Sequence, residues 1–543
     1  MLWEEYKAEI SERGLSEDMY IAGIDLGTTN SVISFWDNHN KRPEPIDMSN
    51  GFGKIPLPSV VQYRAEGGEW IIGDEAYRTM NIYPEDTVRS VKRKMGLNEA
   101  IVINNQSYKP EEIAAKILSE LVAHVQSVNP KAEVGGVVVS VPYDFDDAAK
   151  KATMRACELA GLKEKLICLI EEPKAAALAY NFSHQLNKDE KILVFDFGGG
   201  TLDITMFHVA EKDASHIKLL VISEGGEAYH GGDNIDETLA GMCFSLIKNK
   251  NNISKEELSL ENQVEVLMRA RETKERLSGL KSYRIPFTFC IPPFMEQLTR
   301  DAFEELIRPF IEQTANLVRK TLRNAYTGAV SPDAVDRILL EGGSSQMPWV
   351  KVMLLSIFND ESRIYTSERP ALDISIGATY YAAMKMGLLT QPDIESETVS
   401  VEFEVTTPHD VGLEIEINNK KGFFPMIRRG TPYSLARKSH VFTLSAGNPE
   451  DMTRFDLRIL ERIDKADSFE KCRLIGAVEM TGLPKRPSGK TKLRITLQVA
   501  EEGGTVGGFV EDLGFPGEIA PSGYKERFEP DRYKIARVVG GAL

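Results

Sequence analysis

The sequence predicts an α/β domain followed by a second domain of antiparallel β-strands. Three observations lead to this prediction. From about residue 20 to 388, short β-rich runs alternate with helical runs, which is typical of α/β folds. Within that region one strand-and-turn pattern occurs twice. Downstream, apolar and polar residues alternate with a period of two over several short segments, which indicates an antiparallel β-sandwich.

The composition is that of a soluble globular protein with a reducing, cytoplasmic address. The 543 residues carry 81 acidic and 65 basic side chains, a net charge of −16, which disfavours nucleic acid or an anionic membrane as partner. No apolar run approaches the roughly 20 residues of a membrane span. The five cysteines, 157, 168, 243, 290 and 472, lie too far apart for a zinc or dithiol motif.

Individual elements of the α/β region are readable in order. "MYIAGIDLG" and "NSVISFW" predict the two strands of a hairpin. "GGVVVSVP" predicts a buried strand, and "DDAAKKATMRACELAGL" predicts a helix with an aspartate near its N-cap and Gly161 at its end. "RILLEGGSSQMPWVKVMLL" predicts a strand, a glycine turn and a helix beginning near Pro348.

The repeated pattern is the main candidate for a functional site. "ILVFDFGGGTLDIT" and "IAGIDLGTTNSV" each run an apolar strand into Asp-x-Gly and a threonine, and Asp25 precedes Asp196 by 171 positions (196 − 25). Each copy alone is also ordinary hairpin chemistry. Two copies predict two similar halves whose turns face each other across a cleft.

The residue types in these turns suit a phosphate ligand and a metal ion. Glycines 198, 199 and 200, and Gly27 with Thr28 and Thr29, let backbone N–H groups approach a phosphate. Asp25 and Asp196 are placed to hold Mg²⁺ through its waters. Thr201 and Asp203 would lie near a terminal phosphate, where an attacking water must be oriented.

The β-rich region begins after a polar stretch. "TQPDIESE", residues 390 to 397, is predicted to be a linker because it is polar and contains a proline. We therefore divide the chain into an N-terminal extension (1–19) with an amphipathic helix, an α/β domain (20–388), a linker (389–400) and a β-sandwich domain (401–543).

Longer segments resemble one family. "VVVSVPYDFDDAAKKATMRACELAGLKEKLICLIEEPKAAALAY" and "DTVRSVKRKMG" are similar to segments of the seventy-kilodalton heat-shock protein chaperones. The resemblance covers residues 20 to 385 and, more faintly, "TPHDVGLEI", "SHVFTLSAGNPEDMTRFDLRIL" and "EMTGLP". It implies a two-lobed, actin-like ATPase domain, a duplicated RNase H-like fold, ahead of a substrate-binding β-sandwich.

The resemblance also implies residue roles. Lys92 would contact the terminal phosphate, and Glu172, Asp203 and Thr201 would position the attacking water; without the resemblance, Lys92 reads as a surface lysine. Lys274 and Ser278 fit an ordinary charged helix face equally well. Residues implied to hold ATP or ADP, with Mg²⁺ and an accompanying K⁺, are Gly27, Thr28, Thr29, Asn30, Gly198, Gly199, Gly200, Thr201, Gly232, Lys274, Ser278, Gly342, Gly343, Ser344 and Gln346.

The chain also departs from the family pattern. We expect altered nucleotide affinity and altered coupling between domains, because the family's usual residues are replaced at several positions. The replacements are Gln346 for an adenine-stacking arginine, Glu275 and Arg271 with swapped charges, Lys150 for a relay arginine beyond the switch proline Pro142, Lys174 for a threonine, and "ETVSVEFEV" for a leucine-rich linker.

For the β domain the resemblance implies binding of unfolded or extended peptides without a helical lid, and J-domain and nucleotide-exchange co-chaperones as partners. Candidate pocket residues, which equally suit the inward face of any sandwich, are Leu413, Ile415, Phe442, Leu444, Phe455 and Leu457. The resulting hypothesis is an ATP-hydrolysing chaperone. Its alternatives are an ATP-binding scaffold or co-chaperone with little turnover and, disfavoured by the appended β domain, a small-molecule kinase.

Overall fold

The computed structural model describes most of the chain. Backbone contacts divide it into two compact units, which meet in the sequence between Phe403 and Glu404. The N-terminal extension, apart from Met19, lies outside the described residues. These are 19–48, 55–128, 133–213, 216–325, 329–391, 394–398, 400–404, 407, 409–417, 420–445, 453–462, 468–499 and 506–528.

The first unit is a mixed α/β structure, as predicted. Its helices are α1 Asp74–Thr79, α2 Pro110–Val128, α3 Asp147–Leu159, α4 Glu172–His184, α5 Gly232–Asn251, α6 Leu260–Gly279, α7 Arg300–Leu306, α8 Arg308–Arg323, α9 Pro348–Phe358 and α10 Asp373–Lys385. Its strands are β1 Met19–Asp25, β2 Asn30–Asp37, β3 Arg42–Pro45, β4 Leu57–Pro58, β5 Val60–Arg64, β6 Glu69–Ile72, β7 Thr87–Arg89, β8 Ile101–Ile103, β9 Gln106–Tyr108, β10 Glu133–Val141, β11 Leu166–Glu171, β12 Lys191–Phe197, β13 Thr201–Lys212, β14 His216–Ala228, β15 Ser282–Phe287, β16 Phe294–Thr299, β17 Arg337–Glu341, β18 Ile364–Thr366, β19 Thr390–Gln391, β20 Ile394–Thr398 and β21 Ser400–Glu404.

Two six-stranded sheets organise this unit. The first has the order β11-β10-β1-β2-β3 with β4 also paired to β2, and the second has the order β18-β17-β12-β13-β14-β21. In each, the repeated motif forms an antiparallel hairpin, with Asp25 opposite Val32 and Asp196 opposite Asp203. The first strand of each hairpin also pairs with a parallel strand, β10 or β17. The sequence repeat therefore marks equivalent places in two similarly ordered sheets.

Helices cover the sheets and bury their apolar residues. The unbroken valines of β10 are buried, which confirms the predicted core strand. The helix after it is capped by Asp146, whose carboxylate accepts from the Ala149 N–H at 2.6 Å. Helix α10 packs against α4 and β1. Between α10 and β2, the hydroxyls of Ser375 and Ser34 lie 2.7 Å apart in the buried interior.

The residues predicted to form the linker are strands instead. Strands β19 and β20 pair with each other, and β21 is the edge strand of the second large sheet, beside β14. Val401 and Phe403 account for the position of β21, because both pack against the cores of the first unit. The first residues assigned to the β domain therefore belong to the α/β unit.

The described residues of the second unit form β-strands and two short helical turns, and the strands agree with the alternating pattern. Its strands are β22 Asp410–Ile417, β23 Lys420–Ile427, β24 Arg437–Leu444, β25 Arg454–Arg462, β26 Arg473–Thr481, β27 Thr491–Val499, β28 Val506–Asp512 and β29 Lys525–Phe528. They form two four-stranded sheets, β23-β22-β25-β26 and β24-β27-β28-β29. Both sheets contribute to one buried apolar cluster.

Two of the candidate pocket residues are wrongly assigned. Leu413 and Leu457 lie inside the buried cluster of the second unit, because inward residues of paired sheets form its core. The other four are partly buried against that cluster. They are Ile415, Phe442, Leu444 and Phe455.

No helix among the described residues combines the length and apolar character needed to cross a bilayer.

A buried ion pair stabilises the second unit. Arg486 donates to both carboxylate oxygens of Asp512, at 2.6 and 2.7 Å. Asp512 also accepts from the N–H groups of Gly514 and Ser522. Burial alone would raise the pKa of Asp512, but these hydrogen bonds lower it. Its stabilising effect is therefore present above the unfolded-state pKa of about 4 and is lost as pH falls through the lower folded-state value.

Replacement Asp512→Asn should destabilise the second unit by about 3–5 kcal/mol, because it leaves the Arg486 guanidinium buried without its counter-charge. Hydrogen–deuterium exchange on the full chain measures this as a loss of amide protection in β27 and β28.

The matched control is Glu511→Gln on the same strand. Glu511 pairs with Lys525 at 2.9 Å near the surface, where such pairs contribute about 0–1 kcal/mol. Equal loss of amide protection in the two variants would contradict a special stabilising role for the Arg486–Asp512 pair.

Candidate functional site

A cleft of about 200 Å³ lies in the first unit where the two repeated turns meet. It also borders the short helical turn 91–94 and helices α4, α5 and α6. The residues predicted for the site that line it are Asp25, Gly27, Thr28, Thr29, Asn30, Lys92, Glu172, Asp196, Gly198, Gly199, Gly200, Thr201, Lys274, Ser278, Gly342, Gly343 and Ser344.

The two turns face each other closely, as predicted. A Cβ added at Gly199 would lie 1.7 Å from the Thr29 hydroxyl oxygen, and one at Gly200 would lie 2.5 Å from that of Thr28. Only glycine at these two positions leaves room for the opposite threonines. The turn after β12 is therefore backbone with almost no side chain, which suits a polyanionic ligand.

Three predicted site residues do not line the cleft. Asp203 is buried behind it, opposite Asp196 in the β12–β13 hairpin. Gly232 opens α5, and its N–H donates to the Gly198 carbonyl at 3.1 Å, so it supports the glycine turn. Gln346 is exposed at the end of a short helical turn. A stacking role for Gln346 therefore has no support in this arrangement.

Lys92 and Glu172 form a buried ion pair at the bottom of the cleft. Burial opposes the charge on Lys92, yet Glu172 and Asp25 together raise its pKa. Burial is also the main reason that the pKa of Glu172 is raised to about 7, although Lys92 opposes this shift. Lys92 is thus a fixed cation, while Glu172 is poised to gain or lose a proton near neutral pH.

Acidic side chains crowd around this pair. Burial raises the pKa of Asp25, and it raises those of Asp196 and Asp203 well above the usual value, with mutual repulsion adding to the effect in Asp196 and Asp203. One oxygen of Asp203 has no hydrogen-bond partner. Asp25 accepts from the Ser140 hydroxyl at 2.8 Å. Such a cluster is stabilised by a bound cation.

The residues fit Mg²⁺ better than a fully protein-ligated metal. Among the described residues no three His, Cys, Asp or Glu side chains come together to hold a bare metal ion. Mg²⁺ keeps several waters and uses one or two carboxylates plus phosphate oxygens. Asp25 and Asp196 at the two strand ends match that requirement.

On the side of the cleft predicted to hold adenosine, most polar side chains pair with other groups of the protein. Lys274 lies 2.8 Å from Asp236 and donates to the Gly232 carbonyl at 2.9 Å. Arg271 pairs with Glu275 at 3.0 Å. Ser278 donates to the Lys274 carbonyl. These side chains order helix α6 against α5 and leave few free donors toward a base.

Several cleft residues escaped sequence reasoning. Asp233 accepts from the Thr29 hydroxyl at 3.4 Å, and its N–H donates to the Gly199 carbonyl at 2.8 Å, so it ties the two turns together. Arg93 donates to the Gly200 carbonyl at 2.8 Å, although its sequence neighbours suggested only a surface basic cluster. Asp144 lines a small adjoining cavity with Lys92 and Thr201. In the sequence, the one sign of these residues is the glycine pair that precedes Asp233 in "HGGD".

Comparison with known proteins agrees with this architecture. The family profile described as "Hsp70 protein" matches residues 21–106 and 98–506. The chaperone protein DnaK of Thermotoga petrophila is 31% identical over 499 residues, covering 89% of this chain and 77% of the relative. DnaK of Thermosipho melanesiensis is 29% identical over 96% of this chain and 83% of the relative. DnaK of Ureaplasma parvum is 32% identical over 89% and 75%.

The α/β unit with its paired glycine turns, followed by a β unit, therefore belongs to the class of chaperones that these relatives represent. The family profile and the DnaK relatives match nearly the whole described chain, and they identify the family within this class. The chain belongs to the Hsp70 family.

Replacement Gly199→Ala should destabilise the first unit by about 1–3 kcal/mol, because the new Cβ would overlap the Thr29 hydroxyl. Urea unfolding followed by tryptophan fluorescence measures this, since every tryptophan of the chain precedes residue 404.

The neighbouring glycine provides the control. A Cβ at Gly198 would meet only the Thr201 carbonyl oxygen, at 3.9 Å. Gly198→Ala should lower the urea midpoint of unfolding far less than Gly199→Ala does. A larger effect of Gly198→Ala would refute the turn-to-turn contact.

Proposed function

We propose that this protein is an ATPase of the chaperone class, which binds Mg²⁺-ATP between two actin-like lobes and couples hydrolysis to peptide binding by its β unit. The two six-stranded sheets are the two lobes, and the pair of four-stranded sheets is a peptide-binding sandwich. The observation that carries the proposal is the meeting of the two glycine turns over the buried Lys92–Glu172 pair.

The turns act as a phosphate clamp. The backbone of Gly198 to Gly200 and the hydroxyls of Thr28 and Thr29 present donors from opposite sides of the cleft. Arg93 holds the Gly200 carbonyl and thereby fixes the orientation of the turn. Placement of this kind accounts for most of the catalysis of phosphoryl transfer.

The residues behind the clamp neutralise phosphate charge and accept a proton or hydrogen bond from the attacking water. The Lys92 ammonium neutralises a terminal phosphate, while Asp203 and Thr201 orient the water. Glu172, with a pKa of about 7, accepts a hydrogen bond or proton from that water. Asp25 and Asp196 would hold Mg²⁺, which neutralises phosphate charge when it is bound.

A buried charge network connects this site with strand β21. Glu171, next to Glu172, pairs with Lys174 at 2.5 Å and Lys150 at 3.4 Å. Burial would raise the pKa of Glu171, but the two lysines lower it to about 2, so it stays ionised. The Lys174 ammonium lies 5.6 Å from the centre of the Phe403 ring. A shift of Glu172 on nucleotide binding thus has a direct route to β21.

The β unit offers sheet edges to an extended peptide. Strands β23 and β24 end the two sheets in the described part of the unit. Phe442 and Leu444 on β24 are partly buried, and Phe424 stacks edge-on against Phe442 at 5.2 Å. Strand addition with an apolar side chain seated beside Phe442 and Leu444 is the binding mode that this surface supports.

Replacement Lys92→Ala should lower the single-turnover rate of ATP hydrolysis by about 10²–10³-fold while ATP still binds, because the terminal phosphate loses its buried cation. Thr201→Ala should also slow turnover. Rapid-quench measurement on the preformed complex with ATP gives the hydrolysis rate, and a fluorescent nucleotide reports binding.

Lys94→Ala is the matched control, since Lys94 follows on the same helical turn but is half-exposed and pairs with Glu99 at 3.7 Å. If wild type hydrolyses ATP no faster than Lys92→Ala, the ATPase proposal fails. An ATP-binding scaffold then remains, which the self-paired Lys274 and the exposed Gln346 would also suit.

Replacement Phe403→Ala should abolish the response of the hydrolysis rate to an added apolar heptapeptide while leaving the basal rate unchanged. The Phe403 ring contacts Phe207 and Tyr381, each at 6.4 Å between ring centres, and its loss frees β21 from the first unit. Glu402→Gln, an exposed change on the same strand, should keep the response. Equal responses in both variants would contradict a coupling role for β21.

A further inference from the structure

A second cleft, of about 550 Å³, lies in the first unit beside the nucleotide site. The loop before α10 separates the two. Pro370 and Ile374 line the nucleotide cleft, whereas Arg369 and Asp373 line the second one. The Gly342 N–H donates to the Pro370 carbonyl at 3.3 Å and holds this shared wall in place.

A pair of carboxyl groups lies in this second cleft. Glu341, the last residue of β17, is 2% exposed and hydrogen-bonds to Asp373, the first residue of α10. One oxygen of the Glu341 carboxyl group has no hydrogen-bond partner among the described residues. Burial and the Asp373 charge raise the pKa of Glu341 well above its usual value, and burial raises that of Asp373. The two carboxyl groups therefore compete for protons, and each favours a neighbouring positive charge when it is ionised.

Three cationic or titratable side chains line this cleft, Arg42, His184 and Arg369, and Arg42 pairs with Glu44 at 2.6 Å. In the part of the chain that the structure describes, His184 and Arg369 lie near Asp373 but form no ion pair with it. The Ser367 hydroxyl is its other hydrogen-bond partner. A buried carboxylate without a cation is costly, and an orphaned oxygen adds to the cost. A cation bound in the cleft would supply the missing counter-charge to the carboxyl pair.

Aromatic rings form the wall next to the carboxyl pair. Tyr180 meets Tyr365 edge-on with ring centres 4.9 Å apart, and His184 stacks on Tyr180 at the same distance. Burial and the nearby carboxyl groups raise the pKa of Tyr365 to about 12, so it stays a neutral phenol. Electron-rich rings beside a carboxylate attract flat or alkylated cations.

We propose that this second cleft binds an alkyl guanidinium group, with its charge against the Glu341–Asp373 pair and its flat face against Tyr365. A guanidinium matches a carboxyl pair through several N–H donors and stacks on aromatic rings, which a compact ammonium does less well. A metal ion fits poorly, because no cluster of three metal-binding side chains occurs among the described residues. The group comes from a free small molecule or from an arginine side chain of another protein.

Titration calorimetry on the full chain, saturated with Mg²⁺ and ADP to occupy the first cleft, tests the proposal. The free probe is agmatine, and the peptide probe is acetyl-Gly-Arg-Gly-amide. Acetyl-citrulline amide has nearly the same shape without the charge and should bind at least tenfold more weakly. Binding of agmatine alone assigns a small-molecule ligand, whereas binding of the peptide assigns a protein arginine.

Variants separate this site from a structural role of the same residues. Asp373→Asn and Tyr365→Leu should each weaken probe binding at least tenfold. Glu341→Val should abolish it while raising the melting temperature, because it removes a buried carboxyl oxygen that has no partner. Glu368→Gln, an exposed rim residue of the same cleft, should bind within twofold of wild type.

The proposal is overturned if neither probe binds the wild-type chain, if citrulline amide binds as tightly as the guanidinium probes, or if Asp373→Asn retains full affinity. None of these outcomes depends on whether the first cleft hydrolyses ATP, since the readout is binding in the ADP-saturated protein.

Discussion

The close approach of two backbone turns sets the geometry of the first unit. Thr28 and Thr29 occupy the space where side chains at positions 199 and 200 would lie, so the first and second large sheets meet at a fixed, short distance. Asp233, Arg93 and the Gly232 N–H then fasten the surrounding segments to the turns. The cleft, its crowded carboxylates and the buried lysine all follow from that single contact.

Much of this arrangement is readable in the sequence, because local chemistry determines it. A glycine run after an apolar strand, repeated with its aspartate and threonine, predicts facing turns, and the hairpins and the glycine turn before α9 are where the patterns place them. The helix after β10 is likewise capped as its aspartates indicate. These elements depend on residues close in sequence, where propensity and turn chemistry dominate.

Other features depend on contacts between distant residues and are invisible to such patterns. Lys274 has the composition of a nucleotide contact, yet its partner is Asp236 on another helix. The polar segment before residue 400 has the composition of a linker, yet Val401 and Phe403 find apolar surfaces of the first unit. Glu341 and Asp373 stand 32 positions apart (373 − 341) and meet only in the fold. Residue type makes such residues candidates for a role, but their contacts in the folded chain determine that role.

Strand β21 has a consequence for the behaviour of the protein in a crowded solution. While it is paired, β21 covers part of the outer edge of the longer strand β14. Its departure would uncover a long strand edge together with the apolar surface beneath Val401 and Phe403, which is the kind of surface that joins sheets from separate molecules. Strand β21 therefore also protects against self-association, because it covers this edge and the apolar surface beside it.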